Sequence, residues 1–155
     1  MQLRITKHAD KAHTLLYRRD DGTETWMKAD EFFVRHDLSH YALEKTLGYH
    51  TAFMGMLNAG MDIKAFENRS ERRSIALTDQ AVQAENMANL FLMEQTQGQL
   101  DDFNGVLSGS FKDMGTSTSA TPLTAGQLDS IRSLLAQLLA DWKAMEPGQT
   151  ITLEF

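Results

Sequence analysis

DEFFVRHDLSHYALEKTLG, residues 30–48, predicts a long helix with a defined beginning and end. Asp30 can accept a hydrogen bond from a backbone N–H of the first turn, and Gly48 can adopt the left-handed conformation that commonly ends a helix. Apolar side chains occupy most of the circumference, and only a narrow strip of Arg35, Ser39 and Thr46 is expected to face solvent. We therefore expect this helix to lie at the centre of the molecule.

Three ionisable residues on this helix, His36, His40 and Glu44, form the most informative cluster of the sequence. At about 100° per residue, their side chains fall within roughly 80° of one another on a helix with little polar surface. Buried ionisable groups are costly unless they are paired, hydrogen-bonded or coordinated to a metal. The cluster is therefore either a metal site or a hydrogen-bonded network that fixes helix packing without an ion.

The metal interpretation rests on the spacing of the two histidines, which matches the HExxH zinc motif. Glu44 is the expected third ligand, and His50 is a further candidate because three ligands on one straight helix converge poorly on a single ion. His8 and His13 are the remaining histidines that could complete the site. Asp37 stands at the position of the glutamate in that motif, but its shorter side chain makes it a weak candidate for a general base.

Composition and net charge limit the classes of protein to which this chain can belong. The 155 residues are 42% hydrophobic and 23% charged, which is typical of one globular domain, and the net charge of -6 argues against general affinity for nucleic acid. The chain has no cysteine, so any metal, with zinc the leading candidate, needs histidine and carboxylate ligands. No apolar run is long enough for a membrane span, and the first residues do not resemble a secretion signal, so a cytoplasmic location is expected.

The pattern along the chain predicts an α+β fold. Alternating segments indicate a small antiparallel sheet of three or four strands, an N-terminal meander plus a C-terminal strand, packed against a helical layer. The strands are expected at 1–8, 13–18, 24–28 and 149–155. Helices are expected at 31–47, 50–59, 62–68, 79–97 and 100–114, and from a capping box at Thr124 and Gln127 to the residues before Pro147.

Residues 1–155 are expected to form a single domain, with two polar connections. The Ser/Thr-rich segment 115–125 is interpreted as a mobile surface loop. Residues 68–74 are polar and basic, and Arg69, Arg72 and Arg73 could receive a phosphate, although solvation is the simpler interpretation.

The segments FFVRHDLSHYALEKTLG and DWKAMEPGQTITLEF, with the strand-rich start, resemble a family of small uncharacterised bacterial proteins. The resemblance covers most of the chain. It implies a single bacterial domain and draws attention to His36, Asp37, His40 and Glu44. It transfers no activity, substrate or cofactor.

The leading hypothesis is a cytosolic protein that binds a divalent metal, with hydrolysis as the reaction that an open zinc site would permit. The competing hypothesis is a non-catalytic, homodimeric interaction module in which the His/Glu cluster stabilises the central helix and an apolar surface around helix 50–59 or 125–145 engages a partner. A third is a metal-independent pocket for a small ligand.

Overall fold

The computed structural model describes residues 1–10, 12–66, 75–114 and 118–155, and it confirms the α+β fold. The sheet contains four antiparallel strands in the order β3-β2-β1-β4. The C-terminal strand joins the N-terminal sheet, as predicted, and it pairs with the first strand, with Leu3 opposite Leu153. The strands are β1 (Gln2–Thr6), β2 (His13–Arg18), β3 (Glu24–Ala29) and β4 (Thr150–Glu154).

Five α-helices and one 3-10 turn, Ile63–Phe66, accompany the sheet in the described residues. The helix predicted from residue 50 begins only at Phe53, because the side-chain oxygen of Gln80 accepts hydrogen bonds from the backbone N–H groups of His50 and Thr51 and holds them outside the helix. The helices are α1 (Glu31–Leu47), α2 (Phe53–Asn58), α3 (Asp79–Gln97), α4 (Phe103–Met114) and α5 (Ala125–Ala144).

Helix α1 lies at the centre of the fold, as predicted. It contacts β2 and β3 of the sheet, and it also packs against α2, α3 and α5. Every residue from 37 to 44 is buried. The Asp30 side chain accepts from the backbone N–H of Phe33, and Gly48 adopts a positive φ of 66° at the C-terminal end. Both ends of the helix therefore follow the sequence prediction.

The polar strip of α1 is where the prediction was wrong. Ser39 is fully buried and Arg35 is half-buried, because α3 covers this side of the helix. Gln95 of α3 accepts from Arg35 Nε at 2.7 Å and donates to Ser39 Oγ at 3.1 Å. Arg35 and Ser39, which were expected to face solvent, thus form a hydrogen-bonded contact between α1 and α3, and Thr46, the third residue of the strip, is partly buried.

Helix α5 begins with the predicted capping box of Thr124 and Gln127. The residues just before it are held by amide side chains: Gln83 accepts from the backbone N–H of Thr121, and Asn104 accepts from that of Leu123, whose side chain is buried. These contacts fix the later part of the segment interpreted as mobile. Residues 115–117 and the basic segment 67–74, with its three arginines, lie outside the described residues, and the mobility of 115–125 stays a prediction.

Exposed apolar side chains do not mark the helices that were expected to engage a partner. In the described ranges, neither α2 nor α5 carries an exposed large hydrophobic residue. Nor is any described helix both long and apolar enough to cross a membrane. The large exposed hydrophobic residues are Trp26, Phe32, Phe33, Leu77, Val106 and Met114.

Candidate metal centre

Three side chains from two helices converge at one end of the α1–α3 contact. His36 and His40 project from the same side of α1, with ring centroids 4.6 Å apart. Glu85 of α3 places its Oε2 atom 3.3 Å from Nε2 of His40 and 3.6 Å from Nε2 of His36. One ligand atom from each residue lies within 4.8 Å of the others, so this group could hold a metal ion.

The spacing of these atoms suits a tetrahedral ion. Zinc binds histidine nitrogen and carboxylate oxygen at about 2.0–2.2 Å, and two ligands of a regular tetrahedron at that distance lie roughly 3.4 Å apart. The two Nε2–Oε2 separations of 3.3 and 3.6 Å fall close to this value. These two separations fit a tetrahedral zinc site, and one ligand atom of each of the three residues lies within 4.8 Å of the others.

The other nitrogen of each histidine faces a second carboxylate. Nδ1 of His40 lies 2.8 Å from Oε1 of Glu44, and Nδ1 of His36 lies 3.2 Å from Oδ1 of Asp37. A carboxylate at Nδ1 keeps the proton on that nitrogen and directs Nε2 toward a metal, and it also makes the ring a stronger ligand. Both histidines are thus oriented as metal-binding histidines usually are.

The two orienting carboxylates are themselves held by the core. Oε2 of Glu44 accepts a hydrogen bond of 2.9 Å from the backbone N–H of Met54 in α2, and Glu44 is fully buried. Asp37 Oδ2 accepts from the hydroxyl of Tyr17 on β2. Since both oxygens of Asp37 are engaged on the core side of the cluster, Asp37 lies in an orienting position, which does not suit the general-base role considered for it.

Exposure differs across the group and leaves one side open. The His40 side chain is 1% exposed, that of His36 is 15% exposed, and that of Glu85 is 57% exposed. Two aromatic rings flank the histidines: Phe53 lies 4.9 Å from His40, and Phe32 stacks on His36 at 6.3 Å between centroids. Glu85 is the most exposed of the three side chains, so solvent would reach a bound ion from this side.

The structure separates the residues that sequence analysis grouped together. Glu44 lies behind His40, with both oxygens already engaged, and Glu85 occupies the place expected for a third ligand. His50 is exposed, and only its backbone N–H has a described hydrogen bond. Neither it nor the two histidines near the sheet, in the β1–β2 connection and at the start of β2, belongs to the converging group.

Those two histidines, His8 and His13, contact each other instead of the centre. His8 Nε2 is 2.9 Å from Thr14 Oγ1, and the His8 backbone N–H donates to Nδ1 of His13. The His13 ring packs edge-on against Trp142 at 4.9 Å between centroids. Burial is the main reason that the pKa of His13 lies below its ordinary value, despite the nearby Glu31.

Without a metal, the converging group is an ion-pair network. Burial opposes protonation of His36, but its hydrogen bonds to Asp37 and Glu85 outweigh burial and raise its pKa to about 9. His40 is deeply buried too, and hydrogen bonds to Glu44 and Glu85 likewise raise its pKa. The same bonds hold the pKa of Glu85 far below its usual range. At neutral pH the network therefore carries protons that a metal would have to displace.

Glu85 is the member of the group that sequence analysis missed. It is the only charged residue between positions 80 and 93, in the otherwise neutral segment QAVQAENMANLFLM. A single charge on a helix with buried positions on either side of it was the available signal. That signal does not identify which of the other helices it faces.

No protein-family model matches the chain, and neither a curated protein nor a solved structure shows significant similarity to it.

Proposed function

We propose that this protein binds one divalent metal ion, with zinc as the best-suited ion, through Nε2 of His36, Nε2 of His40 and a carboxylate oxygen of Glu85. The observation that carries the proposal is the approach of both Nε2 atoms to one oxygen of Glu85 while both Nδ1 atoms face carboxylates. Two histidines and one glutamate are the protein ligands of several catalytic zinc sites.

Any catalytic activity would come from the fourth coordination position of the bound ion. A zinc ion with three protein ligands can polarise a carbonyl or phosphoryl group and lower the pKa of bound water to about 7, so hydrolysis is the reaction class that such a site supports. In this chain the histidines bind, Glu44 and Asp37 orient them, and the exposed side of Glu85 admits the substrate. Metal binding is the primary claim, and hydrolysis depends on it.

The same contacts support a second candidate, a purely structural role. Glu85 between two raised-pKa histidines forms an ionic network that would tie α3 to α1 without any ion. In that case, the protein would be a non-catalytic module, as the competing sequence hypothesis holds. The two candidates differ in one measurable property, the metal content.

Elemental analysis and zinc titration of protein purified without an affinity tag or chelator distinguish them. We expect close to one zinc per chain in the wild type and loss of most of it in Glu85→Gln, which keeps the fold because its side chain is largely exposed. His50→Ala is the matched control and should bind zinc normally, since this exposed histidine lies outside the group. No bound metal and no uptake of zinc or manganese would overturn the proposal in favour of the structural network.

A further inference from the structure

A cavity of about 510 Å³ lies between α1 and α3, directly beside the candidate metal centre. Two of its lining residues touch the centre: Phe32 stacks on the His36 ring, and the Asn89 side-chain amide lies 3.3 Å from Oε1 of Glu85. Asn89 is one helical turn beyond Glu85, so the cavity begins about 6 Å along the helix axis from that ligand. Its volume falls in the range of sites for small organic molecules, about 300–1,000 Å³.

The cavity has an apolar wall and one cationic group. Leu92 and Met93 of α3 line it together with the half-exposed Phe32. Arg35 of α1 supplies the positive charge, and its Nε is fixed by the 2.7 Å bond to Gln95. This combination of apolar surface with a few fixed polar groups is typical of ligand sites.

Arg35 has capacity to bind an anion. Within the described part of the chain, no carboxylate lies within salt-bridge distance of it, and its two terminal nitrogens have no protein acceptor. Glu31 lines the same cavity, but both of its oxygens accept from the indole N–H of Trp142, at 3.1 and 3.0 Å. A half-buried guanidinium that no carboxylate of the described residues pairs with, in a protein of net charge -6, is suited to bidentate pairing with a carboxylate or phosphate.

We infer that this cavity binds the substrate of the metal centre, and that the substrate is a small organic anion whose carboxylate or phosphate pairs with Arg35. Its apolar part lies against Phe32, Leu92 and Met93, and its reacting end reaches the open fourth position beside Glu85. The inference rests on the proposed metal site. Arg35 is a specificity-determining residue in this account, whereas the histidines and Glu85 hold the ion.

The test uses probes with two different ends. Each probe carries a hydroxamate at one end, which binds zinc. The other end is a carboxylate, a phosphonate or an uncharged methyl ester. The chain that joins the two ends varies in length across the series. Calorimetry with the zinc-loaded protein measures the affinity of each. We expect the best charged probe to bind about tenfold or more tightly than its ester, which corresponds to one charge-assisted pair. The charged group, carboxylate or phosphonate, that binds more tightly relative to the ester identifies the anionic group of the substrate.

Two variants test whether Arg35 causes the tighter binding of the charged probe. In Arg35→Met, the charged probe and its ester should bind equally, while zinc affinity stays at the wild-type value. Arg18→Met, which removes an exposed arginine on β2, is the matched control and should keep the difference. If wild-type protein shows no preference for the charged probes, or Arg35→Met retains it, the inference is overturned.

Zinc titration of the same samples separates the two proposals. Normal zinc binding without a charge preference overturns only the inference about the cavity, and metal binding stands. Absence of zinc binding overturns both, because no metal centre would remain for the substrate to reach.

Discussion

Nδ1 of His40 lies 2.8 Å from Oε1 of Glu44, one turn further along the same helix, and both side chains are buried. This contact turns the opposite nitrogen of His40 toward Glu85 across the gap to α3. Glu44 thereby acts on the candidate metal centre through His40, and its other oxygen holds the first turn of α2.

Glu44→Gln tests this orienting contact. We expect zinc affinity to fall about 10–100-fold, the usual effect of removing the carboxylate behind a metal-binding histidine.

The same variant should also be less stable. A glutamine offers one acceptor to two donors, His40 Nδ1–H and the Met54 N–H, so the free energy of unfolding should fall by about 1–3 kcal/mol. Competition with a chromophoric chelator measures the first effect and urea unfolding the second. Glu24→Gln, at an exposed strand position, should change neither.

Tyr17→Phe removes the hydroxyl that donates to Asp37. Tyr17 is fully buried, and Asp37 would lose a hydrogen bond that it cannot replace with water. The free energy of unfolding should therefore decrease by about 1–3 kcal/mol. Tyr49→Phe is the control, because the Tyr49 hydroxyl has no described hydrogen bond, and its unfolding curve should match the wild type. Equal stabilities of the two variants would contradict the role given to Tyr17.

The stability of metal-free protein should fall as pH rises from about 6.5 to 9. The pKa of His36 is about 9 in the folded protein and 6.5 when unperturbed, so its contribution is complete below 6.5 and is lost as pH passes through 9. A pKa shift of this size corresponds to a contribution of about 3 kcal/mol to the free energy of unfolding, because the side chain is largely buried. Urea unfolding with a chelator at several pH values measures the slope, and Glu85→Gln should make it shallower.

Added zinc should oppose this pH trend. The metal competes with the protons on His36 and His40, so the stabilisation produced by added zinc should grow over the same pH interval. The measurement is the difference in unfolding free energy with zinc and with chelator at each pH. A zinc effect that stays constant between pH 6.5 and 9 would show that zinc binds elsewhere.

Gly55→Ala and Gly109→Ala form a matched pair of glycine substitutions in helices. A Cβ at Gly55 would overlap the backbone carbonyl of His50, so this change should lower the free energy of unfolding by about 3 kcal/mol and disturb the α2 turn that contacts Glu44. A Cβ at Gly109 meets nothing within 4 Å. There, alanine should stabilise by about 0.5–1 kcal/mol. Thermal unfolding of both variants checks the opposite signs.

Local sequence patterns predicted the framework of the fold because its signals act over a few residues. Asp30 and Gly48 bound α1, Thr78 caps α3, and the Thr124 capping box begins α5, each by hydrogen bonds within one turn. The alternation around Ile151 also predicted a C-terminal strand. These features depend on backbone geometry and burial patterns that are already present in short segments.

The candidate site was only half predictable, because its third member is 45 residues away from His40. Helical periodicity placed His36 and His40 on one side of α1, with Glu44 one turn beyond His40, but it could not tell that Glu44 faces Nδ1 of His40 and lies outside the converging group. The apparent solvent strip of Arg35 and Ser39 failed for the same reason, since its partner Gln95 belongs to α3. The packing of α3 against α1 decides both the composition of the site and the burial of Arg35 and Ser39. Periodicity within one helix carries no information about that packing.

An anomalous diffraction map at the zinc absorption edge, from crystals of zinc-loaded protein, locates the bound ion. We expect one peak about 2.0–2.2 Å from Nε2 of His36, Nε2 of His40 and an oxygen of Glu85, with Glu44 still hydrogen-bonded to His40 Nδ1. The absence of a peak between these residues, or a peak bound by Glu44 or His50 instead, would contradict the proposed metal site.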